Sequence, residues 1–107
     1  MAREQLQTLS EPMYFILLAL TKPMHGYEIM KTVSDISNDR LHVGAGTLYA
    51  LLTRFEKEDI VRCISNEGRR KTYSITEKGR RLLDREYERL KESITIYDEY
   101  VSKGEEI

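Results

Sequence analysis

Residues 46–75 read GTLYALLTRFEKEDIVRCISNEGRRKTYSI, a stretch whose hydrophobic period changes from helical to extended part-way along. Its first half predicts a helix from about Ala45 to Glu58, since Gly44 is an acceptable N-cap. Four apolar residues recur at i, i+3, i+4 and i+7, which places them on one face against a core. These residues are Leu48, Leu51, Leu52 and Phe55.

The remaining surface of this helix is small, hydroxylated and basic. A major groove about 12 Å wide admits one helix, and residues near the N-terminus of that helix reach the base edges. Small residues permit close approach to the duplex, and the hydroxyls of Thr47 and Tyr49 can bond to phosphates or bases. The candidate DNA contacts on this helix are Gly46, Thr47, Tyr49, Ala50, Thr53, Arg54 and Lys57.

The second half of the stretch predicts a β-hairpin. Residues 60–65 and 70–75 read as strands on either side of Asn66-Glu67-Gly68. The returning side carries Arg69, Arg70 and Lys71, which would reach an adjoining phosphate backbone or minor groove with a salt-dependent contribution.

Two helices are predicted before the quoted stretch. Ser10-Glu11-Pro12 starts the first, which runs through Leu20 and is apolar nearly all round, so we expect it at the centre of the core. His25-Gly26-Tyr27 opens the second, and Ser37-Asn38-Asp39 ends it. The residues expected to face inward from the second helix are Tyr27, Ile29, Met30 and Val33.

After the hairpin the sequence predicts one long helix, from about Glu77 to near Lys103, capped by Thr76. Its apolar residues alternate between spacings of four and three, which is a heptad seam. The helix is too long for so small a core, so we expect the seam to pair with the same helix of a second subunit. The seam comprises Leu83, Tyr87, Leu90, Ile94, Tyr97 and Val101, and the chain from Gly104 is expected to fray.

This order of elements is that of a winged helix-turn-helix, mainly α with a small β-hairpin. The 107 residues carry a net charge of −1, which hides a gradient. Residues 1–82 contain 13 Lys and Arg against 10 Asp and Glu, whereas residues 83–107 contain 4 against 8. The gradient fits a DNA-binding domain over residues 1–76 and a dimerisation helix with an acidic tail over residues 77–107.

Several classes of protein are not expected. The longest apolar run, residues 13–20, is too short for a membrane span of about 20 residues, and no secretory signal is visible, so we expect a cytoplasmic protein. Cys63 is the lone cysteine, and it reads as a buried thiol. His25 and His42 lack a third ligand at recognisable spacing, so neither a metal nor a cofactor is predicted. No nucleophile with an oriented base is identifiable, so we do not expect an enzyme.

Three separated motifs resemble PadR-type transcriptional regulators. They are HGYEI at residues 25–29, TLYALL at residues 47–52 and RRKTYSITEKG at residues 69–79. The resemblance spans roughly residues 12–100, and it differs in Ala50, where the family often has proline, and in Asp59, where it often has glycine. Drug-sensing short relatives carry a tryptophan on the last helix; this chain has none, and Leu90 lies near the corresponding position.

The resemblance implies a bacterial homodimeric repressor of the short form, with a single C-terminal dimerisation helix. Its inverted-repeat operator in double-stranded DNA would be released when a small hydrophobic or aromatic effector binds. In the operator-bound dimer, two recognition helices would enter successive major grooves about 34 Å apart. The alternative is a winged-helix module that binds protein without specific DNA binding, for which the near-neutral net charge is the best argument.

Overall fold

The computed structural model describes residues 8–68 and 70–105, which form four helices and a three-stranded antiparallel sheet. The predicted fold class, mainly α with a small β-hairpin, is confirmed. The elements in chain order are α1 (Glu11–Ala19), β1 (Met24–His25), α2 (Gly26–Ile36), α3 (Ala45–Lys57), β2 (Val61–Glu67), β3 (Arg70–Ile75) and α4 (Glu77–Glu105).

The sheet has one strand more than the sequence predicted. Strand β1 pairs antiparallel with β3, with Met24 opposite Tyr73 and His25 opposite Thr72. The sheet order is therefore β1-β3-β2, with β3 in the centre. Two residues are too few to show an alternating pattern, so the sequence indicated only a helix start here. The extra strand fixes the start of α2 to the base of the hairpin.

The hairpin is also longer than predicted. Asn66 and Glu67, assigned to the turn from sequence, belong to β2 and lie opposite Lys71 and Arg70. The turn is therefore at Gly68, whose φ of +60° suits a residue without a Cβ. The register shifts between Cys63 and Ser65. This irregularity leaves the Cys63 thiol half-buried, donating to the Ser65 carbonyl at 3.2 Å, rather than buried as expected.

The helix starts follow the predicted caps. The Ser10 hydroxyl accepts from the Met13 amide at 3.4 Å, and Gly44 is the N-cap of α3. Helix α2 ends before Asn38 and Asp39, which both adopt positive φ. One expectation for α2 is wrong: Tyr27 is 70% exposed, whereas the more distal inward residues are buried or half-buried as predicted.

The core lies between α1, α2, α3 and the first turns of α4, and the sheet closes one side. The predicted inner stripe of α3 is confirmed, with Leu51 half-buried at its edge. The ten largest fully buried side chains are Phe55, Ile16, Leu17, Leu20, Ile29, Leu48, Leu52, Ile60, Val33 and Val61.

The start of α4 is fastened to the turn between α3 and β2. The Thr76 hydroxyl donates to the Asp59 carbonyl at 2.6 Å and accepts from the Gly79 amide at 3.0 Å. Lys78 Nζ donates to the Glu58 carbonyl at 2.8 Å. A Cβ at residue 79 would lie 2.2 Å from the Ile60 carbonyl oxygen. Only glycine therefore allows α4 to begin so close to β2.

Helix α4 extends well beyond this attachment. It continues to Glu105, so the expected fraying at Gly104 is wrong, and residues 106–107 lie outside the described residues. The molecule measures 64 Å along its longest axis, and its radius of gyration of 16.5 Å exceeds the roughly 13 Å of a compact 100-residue domain. No helix among the described residues is long and apolar enough to cross a membrane.

Candidate nucleic-acid interface and subunit interface

The polar surface predicted on α3 is exposed in the structure. Leu48, Leu52 and Phe55 point into the core, which turns the intervening residues outward. Tyr49 is 47% exposed and therefore packs along one side while presenting the other to solvent. The exposed set contains every α3 residue proposed from sequence: Gly46, Thr47, Tyr49, Ala50, Thr53, Arg54 and Lys57.

The α3 surface is less basic than its sequence suggested. Arg54 Nε donates to the Glu58 carboxylate at 3.0 Å, an i,i+4 ion pair that offsets its charge. The Thr53 hydroxyl donates to the Tyr49 carbonyl at 2.9 Å, so it is engaged within its own helix. Glu56, which the sequence analysis did not include, is exposed as well. The α3 surface therefore presents hydroxyls and small residues rather than a strong net positive charge.

The hairpin adds two more exposed cations. Arg70 and Lys71 begin β3, and both are exposed. Arg69 lies outside the described residues, so its predicted contact with DNA is not placed. The two described cations sit at the strand end next to the turn, where they can reach past the body of the domain.

A hollow of about 460 Å³ lies between α3 and the hairpin. Its floor includes Tyr73 of β3, which β1 and β2 flank on either side. The hollow brings a predicted α3 contact and two predicted hairpin contacts together on one surface. The residues that line it are His25, Gly26, Tyr27, Tyr49, Arg70, Lys71 and Tyr73.

Gly26 fixes the position of Tyr49 in the hollow. A Cβ at residue 26 would lie 2.2 Å from the Tyr49 hydroxyl oxygen and 2.8 Å from the ring carbon that bears it. The phenol therefore rests directly on the first turn of α2. Beside it, the His25 amide donates to the Glu28 carboxylate at 3.1 Å, and His25 Nε2 lies 3.2 Å from the same oxygen.

Tyr73 is the buried tyrosine of the hollow. Burial raises the pKa of its phenol, and the neighbouring Glu56 carboxylate adds to the shift, followed by Cys63 and Tyr49. A tyrosine phenol is already neutral at physiological pH, and the raised pKa moves its ionisation further from that range, so Tyr73 keeps its O–H as a hydrogen-bond donor.

The heptad seam of α4 divides into a buried start and an exposed remainder. Leu83 is only 5% exposed and packs in the core of its own subunit. Beyond it the seam residues Tyr87, Leu90, Ile94 and Tyr97 are 50%, 37%, 63% and 64% exposed, and Val101 is half-buried. The sequence analysis missed Ile96 and Tyr100, which are also exposed. Their i,i+4 spacing was the signal for a second apolar stripe.

An ion pair between the buried Glu86 and the exposed Arg89 marks the boundary on α4. Glu86 is 3% exposed and receives two hydrogen bonds from Arg89, one of them from Nε at 3.0 Å. The Arg89 hydrogen bonds lower the pKa of Glu86 most, burial opposes them, and the Leu9 backbone adds a further hydrogen bond. A groove of about 270 Å³ lies beside this pair and is lined by Leu9, Glu11, Tyr14, Phe15, Arg40, Glu86, Arg89 and Leu90.

Comparison with known proteins assigns this arrangement to a family. Residues 16–85 match the model of the transcriptional regulator PadR-like family, which is more than half of the chain. The chain belongs to the PadR-like family. The match runs from α1 through the hairpin to the first turns of α4, so it includes the α3 surface and the hollow. As a member, the chain is a transcriptional regulator, which agrees with the expectation that it is not an enzyme.

Two individual proteins resemble the chain in sequence. An uncharacterized protein X of Lysinibacillus sphaericus is 34% identical over 89 residues, which cover 77% of this PadR-like chain and 82% of that protein. An uncharacterized 37.1 kDa protein of a Streptomyces fradiae transposon is 40% identical over 72 residues, or 66% of this chain. The chain spans only 20% of that protein's length.

A solved structure shows the same fold. The PadR-like transcription factor of Bacteroides fragilis is 33% identical to this chain and superposes with a TM-score of 0.60. The superposition covers 84% of this chain and 85% of that one. The winged-helix architecture inferred from the order of elements is therefore confirmed.

Proposed function

We propose that this PadR-like regulator is a sequence-specific DNA-binding repressor that acts as a homodimer. One observation carries the proposal: the hollow brings Tyr49 of α3 and the cations Arg70 and Lys71 of the hairpin onto one surface. A helix seated in a major groove places its neighbouring hairpin over the adjacent phosphates or minor groove. The two elements can therefore engage one duplex at the same time.

The exposed seam of α4 supplies the second half of the proposal. Monomeric proteins rarely expose a contiguous surface of large apolar side chains. These side chains lie on the part of α4 that extends beyond the core of its own subunit. Pairing with the same helix of a second copy would cover them. Residues 77–107 would then join two DNA-binding units of residues 1–76 across an inverted-repeat operator.

Relief of repression would come from a small hydrophobic or aromatic effector. The groove beside Glu86 is partly apolar and reaches Leu90 on the exposed seam. A ligand held there would shift α4 against α1 and so alter the distance between the two recognition helices. Affinity for the operator would fall because the effector favours a dimer with the wrong spacing. Such a regulator would work in the bacterial cytoplasm.

A second candidate is a winged-helix module that binds protein. The Arg54–Glu58 ion pair and the exposed Glu56 reduce the positive charge of α3, which favours this alternative. This alternative predicts that replacing Arg70 and Lys71 with neutral residues does not reduce binding of the partner protein.

Selection of bound fragments from genomic DNA of the source organism, followed by gel shift at two salt concentrations, tests the proposal. The informative variant is Arg70→Ala/Lys71→Ala. Its matched control is Arg85→Ala/Lys103→Ala, which removes the same charge from the side of α4 opposite the seam. We expect a discrete complex that weakens in the first variant only, with the slope of log K against log salt reduced by about 0.9 per lost phosphate contact.

Two results would reject sequence-specific DNA binding through the hollow. One is that no fragment outcompetes bulk DNA, and the other is that both double variants weaken the complex equally. The first would favour the protein-binding module, and the second would mean that only net charge attracts DNA.

A further inference from the structure

The hollow contains groups that the sequence analysis did not assign to any function. Tyr27 was expected in the core but is 70% exposed at the first turn of α2. It shares the hollow with His25 and with Tyr49, whose phenol rests on Gly26. An exposed aromatic residue among polar neighbours has no packing role that explains it.

The chemistry of the hollow is that of an anion site. Three phenols, an imidazole, a guanidinium and an ammonium group line it, and among its described lining residues none carries a carboxylate. Two carboxylates lie nearby: Glu28 is engaged by the amide and ring of His25, and Glu56 is close enough to Tyr73 for its charge to raise the pKa of that phenol. Charge-assisted hydrogen bonds from such donors to phosphate oxygens are shorter and stronger than neutral ones.

We propose that the hollow holds one phosphate of the DNA backbone in each subunit and that Tyr27 contacts this phosphate. The inference rests on the proposed DNA-binding function and assigns a specific part of that interface. Tyr27 and Tyr49 donate their hydroxyls from α2 and α3, while Arg70 and Lys71 close the site from the hairpin. The open volume of about 460 Å³ accommodates the phosphate together with parts of its flanking sugars.

The site would set the register of α3 on the duplex. Contacts to phosphates carry little sequence information but fix where a recognition helix lies in the groove. Tyr49 belongs to α3 itself, so a phosphate bound beside it holds the N-terminal half of α3 at a fixed depth. Gly26 acts here as a positioning residue, because any side chain at residue 26 would displace the Tyr49 hydroxyl.

The proposal is tested by pairing protein variants with neutralised phosphates. Duplexes of a selected operator are made with a methylphosphonate at one backbone position at a time, which removes the charge of a single phosphate. Binding is measured for the unmodified protein, for Tyr27→Phe and for the control Tyr100→Phe, which removes a hydroxyl from the far end of α4. Tyr27 is largely exposed, so its phenylalanine variant should fold.

We expect one position per half-site at which methylphosphonate weakens binding of the unmodified protein about tenfold or more, as loss of a hydrogen bond to a charged group predicts. At that position the modification should weaken the binding of Tyr27→Phe clearly less than that of the unmodified protein, because the Tyr27 contact is already lost whereas the other contacts to the phosphate remain. Tyr100→Phe should behave as the unmodified protein at every position. Gly26→Ala should reproduce the Tyr27→Phe pattern while its circular dichroism spectrum is unchanged.

Two outcomes overturn the inference, and they are distinguishable from failure of the proposed function. If Tyr27→Phe binds DNA like the unmodified protein, the hollow does not hold a phosphate. The same conclusion follows if the loss of affinity caused by Tyr27→Phe adds in full to the loss caused by a methylphosphonate at every backbone position. If the unmodified protein selects no DNA at all, the DNA-binding function fails first and the phosphate site fails with it.

Discussion

The two ends of α4 differ although they belong to one uninterrupted helix. At the first end Leu82, Leu83 and Glu86 are buried against the winged-helix body. At the second end Ile94, Tyr97 and Tyr100 are more than half exposed. Both ends carry apolar residues at helical spacing, so periodicity alone cannot tell which end is packed within the subunit.

The two ends differ because the winged-helix body can cover only the first of them. The body is too small to cover a 29-residue helix, which at 1.5 Å per residue is roughly 43 Å long. The first turns of α4 pack against the body, and the remainder extends past it, where the proposed second subunit would cover it. The contrast indicates that substitutions in the first turns should alter stability, whereas those beyond Glu86 should alter association.

The largest difference is expected between the two glycines of α4. Gly79→Ala places a Cβ 2.2 Å from the Ile60 carbonyl oxygen, so either α4 or β2 must move. We expect a loss of about 3 kcal/mol or more in the free energy of unfolding, at the upper end of overpacking costs. Urea denaturation followed by circular dichroism measures this loss.

Gly104→Ala is the matched control for this substitution. A Cβ at residue 104 meets nothing within 4 Å, so the variant should be neutral or more stable by up to about 1 kcal/mol, as alanine favours helix. Equal destabilisation by both substitutions would contradict the division of α4 into an attached and a free end.

Association should respond to the exposed end. Ile94→Asp puts a charge at the centre of the exposed seam, and we expect at least about a 100-fold rise in the dimer dissociation constant, the effect of losing a hot-spot contact. Sedimentation equilibrium measures the constant. The helical circular dichroism signal of each subunit should persist, since Ile94 is 63% exposed in the subunit.

Glu99→Lys serves as the control on the same part of α4, because it changes charge on the side of the helix opposite the seam. If Ile94→Asp remains dimeric at the concentrations where the unmodified protein is dimeric, the seam is not the interface. Monomeric unmodified protein at micromolar concentration would reject the homodimer itself.

The boundary between the two ends should be sensitive to acid. Glu86 has a pKa lowered below 4.5 by its hydrogen bonds with Arg89. Its stabilisation is therefore complete above pH 4.5, the pKa of the unfolded state, and is lost as the pH falls through the pKa of the folded state. Glu86→Gln should lose about 1–3 kcal/mol at pH 7.

The difference in free energy of unfolding between Glu86→Gln and the unmodified protein should decrease as the pH drops below 4.5. Urea titrations at several pH values measure this difference. Glu92→Gln, an exposed residue on the free end, should show no such difference. A constant difference between Glu86→Gln and the unmodified protein across the acid range would mean that the carboxylate charge is not what stabilises this junction.

Most of the fold could be predicted because its signals are local. Caps at Ser10 and Gly44, the stripe of α3 and the change of period at Ile60 each depend on a few neighbouring residues. Strand β1 could not be predicted, since its two residues are extended only because β3 lies beside them. Tyr27 was misplaced for a related reason: helical spacing predicted the buried face of α2 but not where that face ends.

The candidate site was predicted in part. Hairpin context and the α3 pattern pointed to Tyr49, Arg70 and Lys71, and these do share one hollow. The contribution of Tyr27 and the support from Gly26 arise where α2 meets α3, a contact that no local pattern encodes. The i,i+4 spacing of Arg54 and Glu58 predicts an ion pair. The sequence analysis counted Arg54 as part of a basic surface without including this pair.

The smallest effect concerns the turn to which α4 is fastened. Asp59 adopts a φ of +60°, a conformation that costs most residues about 1–2 kcal/mol and glycine almost nothing. Asp59→Gly relieves that strain but makes the unfolded chain more flexible, so the net gain should be only about 0.5 kcal/mol. Asp59→Ala, which keeps the positive φ but lacks the tolerance of aspartate for this conformation, should lose about as much. Urea midpoints measured on the Ile94→Asp background would remove the contribution of association. If glycine and alanine shift the midpoint in the same direction, the Asp59 side chain rather than its backbone conformation determines the stability of the turn.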